Sequence, residues 1–566
     1  MIEIKQYISE VIHAGLAKLE IKEYALVEKS ANPDFGDFSS NIAMGLAKTL
    51  RKNPLEIAEM IQVELTIDKK IISEHSVTPP GFLNFRVAKS FYQETVTQII
   101  AAAGTYGRTD TGKGKNANVE FVSANPTGPL TVGHGRQAVL GDTIANILEW
   151  HHYDVTREYY YNDAGRQMRI LGQSVAARYF ELLGREGDFP EDGYEGEYIK
   201  TIATEIREQH GDSLALDDKI FRTHAEELIF ADIKNTLETI GINHDIFSNE
   251  RTYYDNGAID ALVEDLRNKD LIYKSEGATW LKATALGLEK DRVYYKSSGE
   301  PTYRLPDTAY HRDKLNRNFD LIIDIFGADH ADTYPDVLAA LEALDIDTAP
   351  VRVLIHQFVT LLKSGERVKM STRKATFVTL EELIKQVNTD VVRYFFIMRS
   401  MNSHLNFDLD LAVNQSEKNP VYYLQYAHAR ICNIIKNGAE KDLTVTGDLD
   451  CALLLNESEI SLIKVLNVFP EVMATALENM EPQGIANYLH HMSAEFHKFY
   501  ASCRVITDDH DLSTARLNLI TAVKIVLGNG LGVLGVSAPE RMYEFKWRRG
   551  DSNSRPRQML IKRLHA

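Results

Sequence analysis

A chain of 566 residues, 44% of them hydrophobic, predicts about three packed globular domains, and we find no apolar run of about 18 residues that would span a membrane. The formal net charge of −17 argues against a simple nucleic-acid clamp, although it leaves room for a local basic track or for a cationic substrate bound by carboxylates. Only Cys432, Cys451 and Cys503 occur, and their scatter excludes a disulfide framework and a thiolate zinc site.

Residues 1–107 are predicted to form a compact α+β leading domain. Residues 1–5 lack the basic-then-apolar pattern of a secretory signal, which favours a cytoplasmic protein. Apolar residues then recur at helical spacing, at Ile8, Ile12, Leu16 and Leu19 and again at Ile42, Leu46 and Leu50. Residues 81–85 indicate a turn into an edge strand, and residues 104–115, rich in Gly, Thr and Lys, are the expected linker.

The most informative stretch is residues 119–136. A short apolar strand is predicted at 119–122, followed by a turn rich in Asn, Pro and Gly and then by a helix with an apolar face at Leu140, Ile144, Ile147 and Leu148. The N–H groups at a helix start and the missing side chains of Gly133 and Gly135 would let a phosphate approach, with His134 placed to donate to it. Taken alone, such a turn is more often a plain connector.

Residues 108–388 alternate strands and helices, which predicts an α/β domain with a doubly wound, Rossmann-like parallel sheet. Ligands of such sheets bind beyond the carboxyl ends of strands, where the first strand, turn and helix place His134. Residues 321–326 form a buried-strand pattern, and a helical insertion is predicted around residues 173–274.

A basic loop at residues 368–374 follows the apolar run 351–362. It carries Lys369, Arg373 and Lys374 beside the hydroxyl of Ser371. A solvated basic turn has the same composition, so this loop alone indicates no function.

Residues 389–545 are predicted to form an α-helical bundle without strands. One helical stripe comprises Leu424, Ala427, Ile431 and Ile434, and another comprises Leu517, Ile520, Val523 and Leu527. Tyr422, Tyr423 and Tyr426 favour core filling of this bundle. The basic tail at residues 546–566 leaves two interpretations open, RNA contact and a non-native extension.

Together the two loops resemble the paired signatures of class I aminoacyl-tRNA synthetases. Thr-Val-Gly-His at residues 131–134 stands for the His-Ile-Gly-His signature, and Lys-Met-Ser-Thr at residues 369–372 stands for the Lys-Met-Ser-Lys signature. Further stretches resemble bacterial arginyl-tRNA synthetases, namely residues 36–41, 123–129, 161–165, 301–307, 327–330 and 419–423. The similarity extends from the first residues to Met542.

This resemblance implies ATP-dependent ligation of L-arginine to its tRNA, through an arginyl-adenylate, for translation. The implied partners are tRNA(Arg), L-arginine and ATP, with Mg²⁺ carried on the ATP and held mostly by phosphates and water. It implies no zinc, no dedicated metal site, no membrane, and a cytoplasmic monomer. The leading domain would contact the outer corner of the tRNA. The helical bundle would bind the anticodon, with some aromatic residues, among the group Tyr422, Tyr423 and Tyr426 or elsewhere, stacking on single-stranded bases. Residues 173–274 would hold the acceptor end or form only a solvated helical layer.

The resemblance also implies a role for individual residues. The catalytic candidates are Thr131, His134, Lys369 and Ser371. The ATP-binding candidates are Pro129, Leu130, Thr131, Val132, Gly133, His134, Gly135, Lys369, Met370 and Ser371, next to a signature region of Ala124, Asn125, Pro126, Thr127 and Gly128. For arginine, whose guanidinium needs carboxylates, the candidates are Asp307, Glu120, Tyr303, Asn125 and His330.

Two positions depart from the family pattern. Thr131 stands where the first signature His is usual, and Thr372 replaces the last signature Lys, so that Arg373 or Lys374 would supply the missing charge. Two rival hypotheses remain, a nucleotidyltransferase that adenylates another carboxylate and an inactive RNA-binding paralogue. The helical bundle argues against the first, and the retained His134, Lys369 and Asp307 argue against the second.

Overall fold

A computed structural model describes residues 4–30, 32–163, 165–185, 187–328, 331–368, 378–443, 445 and 451–542. The leading unit combines helices with an antiparallel sheet of order β1-β2-β4-β3. Its elements are α1 (Ile4–Lys18), β1 (Glu28–Lys29), β2 (Phe38–Ser40), α2 (Ile42–Leu50), α3 (Pro54–Glu64), β3 (Ile72–Thr78), β4 (Phe82–Val87) and α4 (Lys89–Ala102). Because β4 pairs on both sides, the prediction of an edge strand at residues 81–85 is wrong. Its buried Asn84 bonds to Thr78 Oγ1 at 2.9 Å, so a polar residue there does not mark a solvated edge.

The middle of the chain builds a five-stranded parallel sheet of order β12-β11-β5-β6-β7, which confirms the predicted fold class. Its elements are β5 (Asn116–Glu120), α5 (Val132–Trp150), β6 (Asp154–Tyr161), α6 (Gly165–Leu182), α7 (Glu197–His210), α8 (Ile220–Thr239), β7 (Ile246–Asn249), α9 (Glu250–Asp255), α10 (Ala258–Asn268), β8 (Ile272–Ser275), β9 (Ala278–Leu281), β10 (Arg292–Tyr295), α11 (Arg304–Asn316), β11 (Leu321–Gly327), α12 (Tyr334–Glu342) and β12 (Val351–His356). The chain adds strands first on one side of β5 and then on the other. A ligand crevice therefore opens at the carboxyl ends of β5 and β11.

The segment predicted as a helical insertion, residues 173–274, also contributes to this sheet. Its residues 246–249 form β7, which pairs in parallel with β6. Four residues are too few for an alternating pattern to separate a strand from a helix. The strands β8, β9 and β10 form a separate antiparallel sheet.

Residues 378–542 are mainly helical, as predicted. The remaining elements are β13 (Val359–Lys363), β14 (Glu366–Arg367), α13 (Leu380–Val387), α14 (Thr389–Ile397), β15 (Leu405–Asp408), α15 (Leu409–Ala412), α16 (Pro420–Ala439), α17 (Glu457–Asn467), α18 (Phe469–Asn479), α19 (Gln483–Ser502) and α20 (His510–Val533). The expectation that strands end near residue 390 is wrong, because β15 pairs in parallel with β13. Only Leu405 and Phe407 of β15 are buried. An alternation with two buried residues is too short to predict a strand from the sequence.

One stretch within the described residues, Glu457–Asn479, is long and apolar enough to cross a membrane by length and composition. The search for apolar runs in the sequence did not identify it. It comprises α17 and α18, whose side chains Leu462, Ile463, Leu466, Phe469 and Met473 are buried within the helical bundle. Core helices of soluble proteins pass the same test, so this stretch is weak evidence for a membrane span.

The leading unit packs directly on the helical bundle through α4. Gln93 donates to the carbonyl of Leu454 at 3.0 Å, and Asn467 donates to Thr95 Oγ1 at 3.1 Å. An ion pair joins Lys464 to Asp37. Within the expected linker, the Tyr106 ring stacks on Phe469 with centroids 6.1 Å apart, so part of that segment is packed rather than free.

Candidate functional site

The helix start at α5 is fixed by a capping box. Thr131 Oγ1 accepts a hydrogen bond from the backbone N–H of His134, and the Thr131 N–H donates back to His134 Nδ1 at 3.2 Å. Because Nδ1 accepts, the proton of a neutral His134 ring lies on Nε2, which is therefore a donor. The Thr131 hydroxyl thus organises the first turn, where an acceptor side chain at the N-cap stabilises the helix.

The two glycines of this turn have different surroundings. Among the described residues, a Cβ on Gly133 would meet only Thr131 Oγ1, at 3.6 Å, so this part of the structure leaves the space beside its backbone open. A Cβ on Gly135 would lie 2.6 Å from Leu380 Cδ1 and 3.1 Å from the Phe396 ring. The sequence-based hypothesis that both glycines admit a phosphate therefore fits Gly133, whereas packing against α13 and α14 explains Gly135.

We expect Gly135→Ala to destabilise the protein by about 1–3 kcal/mol, because the added methyl group overpacks the contact with Leu380. The matched variant Gly133→Ala should leave stability unchanged or raise it by about 0.5–1 kcal/mol, since alanine favours helix. Urea unfolding of both variants measures the difference. Equal stability of the two would contradict the packing role of Gly135.

The turn after β5 holds an uncommon backbone conformation. Val122 has φ of 70° and Ser123 has φ of 41°, in the left-handed region that disfavours a β-branched residue such as valine. In this turn Ser123 Oγ donates to Glu120 Oε1 at 2.9 Å, and Ser123 Oγ itself accepts from the Tyr160 N–H at 3.2 Å. Backbone strain of this kind clusters at functional sites.

Asp307, Glu250 and Tyr160 form an acidic cluster beside this turn, which we call the acidic pocket. Asp307, in the first turn of α11, and the buried Glu250, at the start of α9, both approach Tyr160, whose hydroxyl donates to Glu250 Oε2 at 3.4 Å. Burial and the neighbouring Asp307 carboxylate raise the pKa of Glu250 from 4.5 to about 7. Burial, with Asp307, Glu250 and Glu120 nearby, also holds the pKa of Tyr160 well above its usual value. Such a pocket favours a cation, which would relieve the repulsion between the carboxylates.

Sequence reasoning did not find Glu250 or Tyr160. Glu250 follows directly on β7, at the carboxyl edge of the sheet, inside the range that was predicted as an insertion. Recognising residues 246–249 as a strand would have marked the next carboxylate as a site candidate. Tyr160 is missed because an aromatic residue in a strand usually indicates only core; here its ring stacks on Tyr310 with centroids 4.2 Å apart.

Glu120 takes part in a buried ion cluster beneath the pocket. Its Oε2 accepts from Lys314 Nζ at 2.5 Å, and Lys314 also bonds to Asp324 Oδ1 at 2.6 Å. His311 Nε2 lies 3.1 Å from Asp324 Oδ2. Glu120, His311 and Asp324 could together hold a metal ion by geometry, but the Lys314 ammonium already lies between the two carboxylates.

Of the other arginine-site candidates, Tyr303 lies at the start of α11 and Asn125 lies in the turn that follows β5. Tyr303 directly precedes α11, with 68% of its surface exposed, and its carbonyl accepts from the Asp307 N–H at 3.1 Å. Asn125 accepts from the Asn162 N–H at 3.0 Å and donates to Gln167 at 2.8 Å. His330 lies outside the described residues.

The remaining first-signature candidates form the turn and the helix start. Ala124, Pro126, Leu130 and Val132 are buried, whereas Thr127, Gly128 and Pro129 are half-buried. Tyr198 donates to the Thr127 carbonyl at 2.8 Å, and a Cβ on Gly128 would lie 2.9 Å from its hydroxyl oxygen.

The residues that follow the second signature contact the first signature. Lys369, Met370, Ser371, Thr372, Arg373 and Lys374 lie outside the described residues. Before them, Val368 N–H donates to Leu361 O at 2.9 Å. After them, Thr379 forms a β-bridge with Thr131, and Leu380 N–H donates to Leu130 O at 2.8 Å.

The helical bundle carries a half-exposed aromatic and cationic surface. The Arg430 guanidinium lies 4.5 Å from the Tyr426 ring centroid and 5.2 Å from that of Tyr500. Tyr500 and Arg504 line an adjacent open cavity of about 810 Å³. Aromatic faces next to arginine suit unstacked nucleic-acid bases.

A parallel sheet with a capped helix start at its carboxyl edge, an acidic pocket beside it and a separate helical bundle defines a nucleotide-binding α/β enzyme with an appended recognition domain. Three family models match in order: "Arginyl tRNA synthetase N terminal domain" at residues 3–87, "tRNA synthetases class I (R), catalytic domain" at residues 95–395 and "DALR anticodon binding domain" at residues 424–542.

Named relatives of the chain support the same family. The arginine–tRNA ligases of Desulfotalea psychrophila and Salinibacter ruber are each 49% identical to the chain, covering 91% of it and 94% and 95% of their own lengths. The solved arginyl-tRNA synthetase of Thermus thermophilus has the same fold, with a TM-score of 0.74 at 21% identity over 95% of this chain and 100% of its own. The chain therefore belongs to the arginine–tRNA ligase family, which consists of class I aminoacyl-tRNA synthetases.

Proposed function

We propose that this chain ligates L-arginine to tRNA in two steps. The arginine carboxylate attacks the α-phosphate of ATP, forming arginyl-adenylate and releasing pyrophosphate, and a terminal ribose hydroxyl of tRNA then takes the arginyl group and releases AMP. The observation that carries the proposal is the acidic pocket of Asp307 and Glu250 at the sheet edge where α5 begins. A cation site and a phosphate site at the same edge suit a substrate that carries both a guanidinium and a reacting carboxylate.

In the first step the helix start would neutralise phosphate charge. The N–H groups of the first turn and His134 Nε2–H would donate to phosphate oxygens as charge builds in the transition state. Gly133 would let the phosphate reach the backbone, and the Thr131 hydroxyl would position His134 rather than touch the substrate. Mg²⁺ would arrive with ATP as part of the substrate, and we propose no zinc.

The loop at residues 369–374 would close over the leaving pyrophosphate. The contacts of Thr379 and Leu380 with Thr131 and Leu130 support this role, because residues that follow the loop in sequence lie beside the first signature. Lys369 and Ser371 would bind the pyrophosphate, and Arg373 or Lys374 would supply the charge that Thr372 lacks.

Arginine would bind by its guanidinium between Asp307 and Glu250, with Tyr303 at the mouth. Asn125 would bind the α-amino group, and His330 would contribute nearby. Glu120 would contribute its carboxylate to the same arginine site, and Lys314 and Ser123 hold that carboxylate in place. Charged hydrogen bonds to a planar guanidinium favour arginine over lysine.

We also propose a division of labour along the chain. Residues 1–107 would contact the outer corner of the tRNA, residues 108–388 would catalyse, and residues 389–545 would bind the anticodon at the surface of Tyr426, Arg430 and Tyr500. Helices of the insertion would hold the acceptor end. The protein would act as a cytoplasmic monomer away from membranes, without the tail at residues 546–566.

The test is aminoacylation of total tRNA with labelled arginine and ATP, with labelled lysine in a parallel reaction. We expect charging with arginine only, and equal rates for the full chain and a chain that ends at Tyr543. Binding of tRNA without charging would instead favour an inactive RNA-binding paralogue.

We expect the KM for arginine to depend on the ionisation of Glu250. In the arginine-free protein the Glu250 carboxyl has a pKa of about 7. The KM for arginine should therefore be constant above about pH 8, and it should rise by up to about tenfold per pH unit below pH 7. Glu250→Gln should raise KM and flatten this profile, whereas the exposed Glu264→Gln on α10 should leave it unchanged. An unshifted acid limb in Glu250→Gln would contradict the assignment.

The same ionisation affects stability. The folded pKa of Glu250 lies above its unfolded value of 4.5, so the folded arginine-free protein binds the extra proton and loses stability as the pH rises from about 4.5 to about 7. Bound arginine would cancel this loss by pairing with the carboxylate. The thermal shift caused by arginine should therefore be larger at pH 8 than at pH 6.

A further inference from the structure

Arg393 lies at a junction of three separate parts of the chain. Its side chain is only 2% exposed and projects from α14. The guanidinium donates to Asp142 Oδ2 on α5 at 2.6 Å, to the Ile240 carbonyl after α8 at 3.0 Å and to the Leu534 carbonyl after α20 at 3.1 Å. Because a guanidinium is planar and donates in fixed directions, it holds these three partners in one arrangement.

The end of α20 has further contacts at this junction. Asn146 of α5 donates to the Val533 carbonyl at 3.1 Å, and the Ser537 N–H donates to Asp390 Oδ1 at 2.9 Å. Gly535 has φ of 66°, and a Cβ there would lie 2.2 Å from Arg393 Nη2, so this position needs glycine. A cavity of about 300 Å³ borders the same residues, which leaves space for the junction to shift.

The other end of α20 lies at the proposed RNA surface. Arg516, near the start of the helix, donates to the Arg504 carbonyl at 2.8 Å and to Glu459 Oε1 at 2.7 Å. Arg504 and Tyr500 line the open cavity of the bundle. About 25 Å of continuous helix then separates Arg516 from the junction.

We propose that Arg393 is a positioning residue that couples RNA binding at the bundle to the catalytic helix α5. A displacement of α20 by bound anticodon bases would act on Asp142 through Leu534 and Arg393, and so on the first turn of α5 with His134. The proposal rests on the proposed function, because it concerns the effect of the anticodon on charging with arginine.

The experiment measures kcat for charging and KM for tRNA with two transcripts. One is the tRNA that the protein charges, and the other is the same tRNA with its anticodon bases replaced. The ratio of the two kcat values is the anticodon effect. In Arg393→Lys, which keeps a charge for Asp142 but cannot hold three partners, we expect the anticodon effect on kcat to shrink by about two- to thirtyfold. The KM ratio should stay unchanged, because the RNA surface is intact.

Arg136→Lys is the matched control. Arg136 is a second buried arginine, whose hydrogen bonds to described residues join α5 to the carbonyls of Gln357, Ser400 and Ser403 rather than to α20. Its substitution should lower kcat by the same factor for both transcripts. If Arg393→Lys does not fold, Asn146→Ala, which loses one bond between α5 and α20, should shrink the anticodon effect in part.

An unchanged anticodon effect on kcat in the folded variants would overturn the proposal, as would the absence of any such effect in the unaltered protein. These outcomes still leave charging with arginine in place. Failure of the unaltered protein to charge either transcript would instead refute the proposed function, and the coupling role with it.

Discussion

Lys314→Met should destabilise the protein by about 3–5 kcal/mol, because it leaves the buried carboxylates of Glu120 and Asp324 without their shared cation. Lys314 is fully buried, and despite that burial its two carboxylate partners hold its pKa above its usual value. A methionine fills a similar volume but supplies no charge. The midpoint and slope of urea unfolding measure the loss.

Lys269→Met provides the matched comparison. This lysine pairs with Asp345 at the surface, with both side chains substantially exposed, so its loss should cost about 0–1 kcal/mol. Adding Asp324→Asn to Lys314→Met should recover part of the stability by removing one uncompensated charge. If Lys314→Met lost as little stability as Lys269→Met, the prediction that Lys314 stabilises the two buried carboxylates would be wrong.

His134→Ala should slow adenylate formation by about 10²–10³-fold, the usual cost of removing one donor to a developing negative charge. The variant also loses the Nδ1 acceptor of the capping box, which should cost about 1 kcal/mol of stability. Pyrophosphate exchange in the presence of tRNA measures the rate, and thermal unfolding measures the stability.

His134→Gln separates the two roles of this histidine. Glutamine at this position accepts a hydrogen bond from the N-cap N–H in ordinary capping boxes, so stability should return to that of the unaltered protein. The rate should remain low, because the imidazole donor is absent. A glutamine variant with normal exchange would contradict the need for an imidazole donor at this position.

The sequence predicts those parts of the fold that have long, regular patterns. The strand, turn and helix around His134 follow from apolar periodicity and from a cluster of Gly, Pro and Asn, and the parallel sheet follows from alternating elements. The predicted strand 119–122 is shifted, however, because β5 ends at Glu120 and Val122 already lies in the turn. Short strands such as β7 and β15 have only four residues each, and no periodicity marks them. The family resemblance supplies the site candidates that local patterns do not.

Other site features could not be predicted because they depend on contacts between buried residues that are far apart in the sequence. Nothing in the sequence near Glu120 indicates Lys314, which is 194 residues away and buried against it. Likewise, Glu250 becomes a site candidate only once β7 is seen to join β6. The distinct surroundings of Gly133 and Gly135 depend on α13 and α14, which are remote in sequence.

The packing of α4 on the helical bundle has a consequence for the covalent chain. The leading unit and the bundle bind each other through Gln93, through Thr95 and through the ion pair of Lys464 with Asp37. The leading unit is therefore held to the rest of the protein by these non-covalent contacts as well as by the peptide chain. We expect a chain cleaved between the exposed residues Lys113 and Gly114 to reassemble from its two fragments. Co-expressed fragments should therefore co-purify as a complemented enzyme.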